Sequence, residues 1–399
     1  MTHRDTLVTT SQAADLLGVK TSTVYTYVSR GHLEPIRRPG DPGSWFHRSD
    51  IERLARSNRR RRSQPRSELP NETTHLTSIT CITDRGYQYR GLDPLELARS
   101  RTFEQVAEFL WTGALPGEVS WPSPSEPGLD QLDRLPLDRL RVAISELGIR
   151  DQLRFGKTPE AIRVTGRTLL VDLMAALPLV GDASESLGFV DQLWPRLASV
   201  APRSEVRASL ESAMIIIADH GVAPSTLAVR IAAGYRADLY GAIQSGMSIM
   251  AGGWYGRRAL SAERMLDDVD RVGDAEQVVG DLFRQGGIPC LGQPRYAGPD
   301  PRTEMILDLT TSAAPDAPAL RAVRDIQRIT ADRALPSPSV ELALAAMCRA
   351  FGLITGASEA VFALGRAAGW IAHAIEIYGR PIAAPPAFEH ATTDQKGVR

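Results

Sequence analysis

The first fifty residues alternate short apolar stripes with turn-forming residues. Ala13, Ala14, Leu16 and Leu17 recur at helical spacing behind Ser11, a residue suited to an N-cap, and Gly18 closes the stripe. Val24 and Val28, four apart, predict the inner face of a second helix that begins at Thr21-Ser22 and stops at Gly31. Residues 33–37 read as a strand, Pro39-Gly40-Asp41-Pro42-Gly43 as a turn, and 45–47 as a short return strand. Ser49 is expected to cap a third helix over 50–57. Residues 58–77 are nearly devoid of apolar side chains and rich in arginine, serine, proline and asparagine, the texture of an exposed linker. Beyond residue 78 the pattern turns helical. Segments 103–112, 204–217, 226–251 and 339–377 carry apolar residues at helical spacing, alternating runs are few, and no internal repeat is visible. The predicted fold class is mainly α.

Composition adds a charge asymmetry. The chain has 399 residues, 43% of them hydrophobic, enough for more than one domain and a sizeable core. Its formal net charge is −1. Up to Arg66, however, 13 Arg and Lys face 6 Asp and Glu, leaving +7 there and −8 on the remainder. A basic head on an acidic body points to a local nucleic-acid contact. Cys81, Cys290 and Cys348 lie far apart, so no metal site is expected, and they read as reduced cysteines of a cytosolic protein. No signal-like apolar run opens the chain and no apolar stretch reaches spanning length, so a cytoplasmic, soluble protein without a membrane partner is expected.

Helix, glycine turn, helix and wing make a winged helix-turn-helix pattern over 1–57. Its core, Ser11-Gln-Ala-Ala-Asp-Leu-Leu-Gly-Val-Lys-Thr-Ser-Thr-Val-Tyr25, resembles the DNA-binding heads of MerR-type and excisionase-like regulators. That resemblance implies that Thr21, Thr23, Tyr25, Thr26 and Arg30 face a groove, while Arg37, Arg38 and the wing tip meet phosphates. Modules of this size also serve as dimerisation or docking units; the excess positive charge favours DNA.

Four further blocks, in order, resemble citrate synthase. They are Ile82-Thr-Asp-Arg-Gly-Tyr-Gln-Tyr-Arg-Gly91 with Phe103-Glu-Gln-Val-Ala-Glu-Phe-Leu-Trp-Thr-Gly-Ala-Leu-Pro116, then Ala218-Asp-His-Gly-Val-Ala-Pro-Ser-Thr226. The third joins Ala251-Gly-Gly-Trp-Tyr-Gly-Arg-Arg-Ala-Leu260 to Ile288-Pro-Cys-Leu-Gly-Gln-Pro-Arg-Tyr296 and Asp300-Pro-Arg302. The fourth is Ser339-Val-Glu-Leu-Ala-Leu344 with Phe362-Ala-Leu-Gly-Arg-Ala-Ala-Gly-Trp-Ile-Ala-His373. The resemblance implies a two-domain, all-α dimer. Its large domain would take 78–225 and 339–390, its small closing domain 226–338, and 391–399 would form a tail. Oxaloacetate would bind between the domains, with acetyl-CoA or another acyl-CoA beside it and no resident cofactor.

The reaction of that family needs a carboxylate to deprotonate the acyl-CoA methyl group, a donor for the enol oxygen, and a donor to the attacked ketone. By resemblance these roles fall to one aspartate and two histidines, and here all three positions differ. Tyr255 stands at the enol-side histidine, Gln293 at the ketone-side histidine and Glu341 at the aspartate. A phenol can still donate a hydrogen bond, and a carboxamide cannot release a proton near neutrality. Glu341 keeps a carboxylate about one methylene displaced, or is an ordinary acid at a helix start. No histidine lies between His220 and His373.

The resemblance also assigns His220, Arg302 and Arg366 to the oxaloacetate carboxylates and ketone; arginine forks suit such groups. The alternative reading of the three is fold-stabilising remnants held in internal salt bridges. The arginine that the family donates across its dimer is replaced by Ala384. Three functions follow: a metabolite-responsive DNA-binding regulator with an impaired site, an active citrate or 2-methylcitrate synthase, or a non-catalytic subunit. The first two imply a homodimer, the last a heterodimer with an intact paralogue.

Overall fold

A computed structural model describes residues 7–17, 21, 24, 28, 33, 35–37, 44–51, 76–83, 86–125, 134–184, 186, 188–252, 258–288, 290–292, 295–296 and 298–382. The chain divides into two compact units, the second spanning Leu76–Ala384.

In the N-terminal unit, β1 (Leu7–Thr9) leads into α1 (Thr10–Leu17), followed by β2 (Ile36–Arg37) and β3 (Ser44–His47). β3 is central and pairs antiparallel with both neighbours, setting Val8 opposite Phe46 and Arg37 opposite Ser44. Val8, Ala13, Ala14, Leu17, Val24, Leu33, Phe46 and Ile51 form its core, with Val28 packed against it. The predicted inner face of the second helix is therefore correct.

Two predicted caps are not. The α1 cap is Thr9, whose Oγ1 accepts from Gln12 N (3.3 Å) while Gln12 Oε1 accepts from Thr9 N (3.0 Å). This reciprocal pair is a capping box, and it leaves Ser11 exposed inside the first turn. Likewise residues 48–51 are already helical, so Ser49 lies within that helix. Thr21 is helical and exposed; Thr23, Tyr25, Thr26, Arg30 and Arg38 lie outside the described residues, as does the Arg37 side chain.

The second unit opens with a hairpin, β4 (Thr80–Thr83) and β5 (Gly86–Tyr89), paired from Thr80–Tyr89 to Thr83–Gly86. Helices follow: α2 (Pro94–Ser100), α3 (Phe103–Thr112), α4 (Pro136–Arg150), α5 (Pro159–Ala175), α6 (Phe189–Leu197) and α7 (Ser204–Ile216). The stretch predicted as helical over 226–251 is two helices, α8 (Pro224–Gly234) and α9 (Leu239–Ala251). Arg236, at φ 65°, breaks it, and Asp238 caps the second piece. Then come α10 (Arg258–Val272), α11 (Ala275–Arg284), α12 (Pro301–Ala313) and α13 (Pro318–Asp332). Segment 339–377 also divides, into α14 (Val340–Ala350) and α15 (Ala357–Tyr378), because Gly352 and Gly356 adopt left-handed φ.

Two hydrophobic cores result. The larger surrounds α15, which is long and apolar enough to cross a membrane by composition but is buried here as a core helix. The smaller is built from α10, α11 and α13, including Met265, Val278, Val323 and Ile326. α14 belongs to both. Ala343, Leu344 and Met347 pack into the larger core, while Leu342, Ala345 and Ala346 pack into the smaller. That helix is therefore the seam, and Glu341 sits in its first turn.

Candidate functional site

Between α7 and α8 the chain makes a tight turn through residues 218–222, with Gly221 at φ 61°. Two tyrosines of β5 fix this turn. Tyr87 donates from its hydroxyl to the Ile216 carbonyl (2.7 Å), and the Tyr89 oxygen accepts from Asp219 N–H (3.0 Å). Alternation along the strand puts both rings on one face, so the hairpin serves as a bracket for the loop.

Asp219 is fully buried at the centre of a polar network. Its Oδ2 accepts from Thr80 Oγ1 and from Gly221 N–H (2.8 Å), and its Oδ1 stands 3.3 Å from His373 Nε2. Arg230 Nη1 lies 2.8 Å from His373 Nδ1 and must donate there, which leaves the ring proton on Nε2, toward Asp219. Burial opposes charge on Asp219, but His373, Arg366 and Thr80 outweigh it and hold its carboxyl down to about 2. The turn reaches α15 closely. A Cβ on Gly369 would stand 2.3 Å from the Ala218 carbonyl oxygen and 2.6 Å from Asp219 Oδ1. Gly369→Ala is therefore expected to destabilise the protein by about 1–3 kcal/mol, read as a lower unfolding midpoint.

His220 follows Asp219 and is 2% exposed. Its Nε2 lies 2.7 Å from the Tyr296 hydroxyl, and its ring meets Tyr87 edge-on at 5.8 Å. Burial, with Arg302, Arg366 and Arg295 adding to it, pushes protonation of His220 well below the usual histidine range. The imidazole is thus neutral at physiological pH. Burial likewise raises Tyr296 to about 12, so its phenol keeps its proton.

Arg302 and Arg366 share this environment but differ in their engagement. Asp300 takes one edge of Arg302 through Nε (3.0 Å) and Nη2 (2.6 Å), a buried bidentate pair. Arg366 is 2% exposed, and neither its Nε nor its Nη1 has a hydrogen-bond partner. Its guanidinium lies 5.1 Å from the Phe362 ring centroid. A buried cation with unmet donors calls for an anion.

Tyr255 and Gln293 lie outside the described residues, but their flanks are joined. Arg258 donates to the carbonyls of Leu291 (2.9 Å) and Gly292 (3.4 Å). Gly292 N donates to Ser337 O (2.8 Å), and Ser339 N to Cys290 O (2.9 Å). The three substituted segments are therefore cross-tied near the start of α14, two of them by backbone bonds and the first through the Arg258 side chain. Glu341 is half-buried and, among the described residues, makes no hydrogen bond or ion pair. Burial and then Glu341 push the Cys290 thiol up to about 12, placing the carboxylate beside that cysteine. A cleft of about 250 Å³ runs along this seam, lined by Gly292, Tyr296, Asp300, Ser337 and Pro338 among others.

Sequence reasoning did not nominate Asp219, His373, Arg230 or Tyr296. All but Arg230 stood inside the quoted blocks, and the acid next to His220 was the available signal.

Comparison with known proteins gives a consistent picture. The sequence matches the family model "Citrate synthase, C-terminal domain" over residues 69–383, and a helix-turn-helix domain model over 7–59. It is 26% identical over 323 residues to the citrate synthase of Haloferax volcanii, covering 73% of this chain and 85% of that protein. The 2-methylcitrate synthase of Mycobacterium tuberculosis is 25% identical over 334 residues, covering 76% and 84%. The fold resembles that of the Thermoplasma acidophilum citrate synthase in its ternary complex with carboxymethyl coenzyme A and oxaloacetate. That likeness has a TM-score of 0.67 at 19% identity and covers 83% of this chain and 97% of that one.

Proposed function

The chain belongs to the citrate synthase family, and from that premise we propose that its body binds an oxaloacetate-like dicarboxylate without efficiently condensing it. In this reading the protein is a metabolite-responsive DNA-binding regulator. The observation that carries the binding half is Arg366: a buried guanidinium with two unmet donors, in the same buried group as the neutral His220. A carboxylate would satisfy those donors, and Arg302, fixed by Asp300, would offer its remaining Nη1 to the ligand.

Substitution at all three positions expected to handle protons supports the impaired half. Tyr255 and Gln293 replace imidazoles, and no other histidine lies between 220 and 373 to take over. The helix-turn-helix match and the +7 head support DNA as the partner. Identity to citrate and 2-methylcitrate synthases favours one second reading, an active synthase using Tyr255 and Glu341 as donor and base.

Two measurements separate these. Titration calorimetry should detect oxaloacetate binding that Arg366→Gln weakens by roughly 10²-fold, the scale of losing one partner of a buried charge pair. Thiol release from acetyl-CoA or propionyl-CoA with oxaloacetate should stay below about one turnover per second, against typical values of about 10. Faster turnover establishes the synthase instead. For the DNA half, binding to a mixed-sequence duplex should weaken at least about tenfold between 50 and 200 mM salt and shift with oxaloacetate. An affinity indifferent to oxaloacetate removes the regulatory reading.

A further inference from the structure

Residues 76–78, where the second unit begins, are held by polar contacts. The Leu76 side chain is 70% exposed, and the first fully buried apolar anchor is Ile79. The Leu76 carbonyl accepts from Arg230 Nη2 (3.0 Å) and Arg380 Nη2 (2.8 Å). Ser78 donates to Glu376 Oε1 from its N–H (2.9 Å) and its hydroxyl (3.3 Å). Glu376 is in turn held through Oε2 by Arg230 Nη1 (2.5 Å) and by Arg380 at 3.6 Å. With no apolar side chain pinning 76–78, the Ser78 amide is held by Glu376, whose charge Arg230 and Arg380 share, while Arg90 Nη1 (3.5 Å) reaches only the Ser78 hydroxyl.

Arg230 does not act only there. The same Nη1 that holds Glu376 faces His373 Nδ1 at 2.8 Å, and the far nitrogen of His373 faces Asp219 at 3.3 Å. Asp219 braces the His220 turn through Gly221 N–H. Arg230 is 3% exposed, and His373 and Asp219 are fully buried, so water does not screen the chain of contacts. The two ends are thus joined: the turn bearing His220, and the residues at which the chain enters its second unit.

We propose that Asp219, His373, Arg230 and Glu376 form a polar relay through which an anion bound at Arg366 sets how firmly residues 76–78 are held. The proposal rests on the carboxylate-binding reading above. Its direction follows from charge. Arg366 lies on α15 one turn before Gly369, where the helix backbone meets Asp219 Oδ1 (2.6 Å from an added Cβ), and it is one of the cations that stabilise the Asp219 carboxylate. An anion seated on Arg366 takes part of that field, and Asp219 draws harder on the His373 N–H. His373 Nδ1 becomes the stronger acceptor and pulls Arg230 Nη1 from Glu376; by the same rule the less compensated Glu376 carboxylate draws harder on Ser78 and firms the grip. A single hydrogen bond is worth about 0.5–1.5 kcal/mol, so the change at Ser78 is about two- to tenfold.

Hydrogen–deuterium exchange of the full chain, with and without saturating oxaloacetate, tests the relay. The Ser78 amide should exchange about two- to tenfold more slowly with ligand, while amides in the middle of α15 do not change. Glu376→Gln, at a half-buried position, removes the charge and keeps the shape. That variant should show fast Ser78 exchange without ligand and no further response to it. It should also bind oxaloacetate with altered affinity, because coupling is reciprocal. Calorimetric binding with unchanged Ser78 exchange sinks the relay alone. No binding heat sinks the carboxylate reading and the relay with it.

Discussion

Asp219→Ala is expected to lower the unfolding midpoint by on the order of 10 °C. The carboxylate is fully buried and serves Thr80, Gly221 N–H and His373 at once. Its removal leaves two donors, the Thr80 hydroxyl and Gly221 N–H, without their acceptor, and takes a counter-charge from His373 and Arg366. Breaking a buried charged contact costs about 3–5 kcal/mol. For a unit spanning residues 76–384 each kcal/mol moves the midpoint by about 1.5–2 °C. Asp219→Asn should cost less, since it keeps an acceptor for Gly221 and Thr80 while losing the charge.

The same residue sets a pH dependence whose sign is definite. Its folded-state carboxyl is depressed to about 2, against an ordinary value of about 3.9. A depressed carboxylate contributes stability that is complete above the ordinary value and lost as pH falls through the folded one. The window is thus about pH 4 down to 2, with a contribution of about 2–3 kcal/mol. Other carboxylates titrate there too, so the measurement is a difference. The stability gap between the wild type and Asp219→Asn should narrow as pH falls from 5 to 3. A constant gap would show that Asp219 is not held in its charged form.

The sequence disclosed the elements with long periodicity and missed those set by one contact. α3 coincides with the predicted 103–112 stripe because its apolar face is unbroken and Thr102 and Gly113 bound it. Segments 226–251 and 339–377 kept their periodicity across breaks, since single left-handed residues such as Arg236 and Gly352 scarcely disturb an apolar pattern. β1 has three residues, too few to show alternation, and its partner β3 lies 35 or more positions away. At the α1 start, Thr9, Thr10 and Ser11 all suit a cap. Only the position of Gln12, third after Thr9, decides among them.

The site was legible where it is local and hidden where it is assembled. Asp300-Pro-Arg302 lies on one helix start, and its internal pairing could have been anticipated from a capping acid two residues before an arginine. The Asp219–His373–Arg230–Glu376 network joins three elements and leaves no spacing signature. His220 and Tyr296 meet only because the β5 tyrosines bracket one turn. α14 shows the same limit: its stripe is apolar on both sides, and sequence cannot tell that each side serves a different core.

Restoring the proton-handling groups should have the largest effect on function. The triple variant Tyr255→His, Gln293→His and Glu341→Asp is expected to raise oxaloacetate-dependent thiol release at least about 10²-fold. A positioned general acid or base contributes about 10²–10⁴-fold, and a misplacement of about 1 Å costs about 10²-fold. Single reversions should yield little, because groups acting on one transition state are strongly non-additive. The surrounding frame favours the outcome, since Arg258 and the 337–339 segment already tie the flanks of all three positions together. Arg258 is also a bulky cation in that frame, so the quadruple variant with Arg258→Gly is the informative companion. If oxaloacetate still binds and neither variant turns over faster, proton transfer is not what this chain lacks. A response to Arg258→Gly alone would locate the block in access for the acyl-CoA.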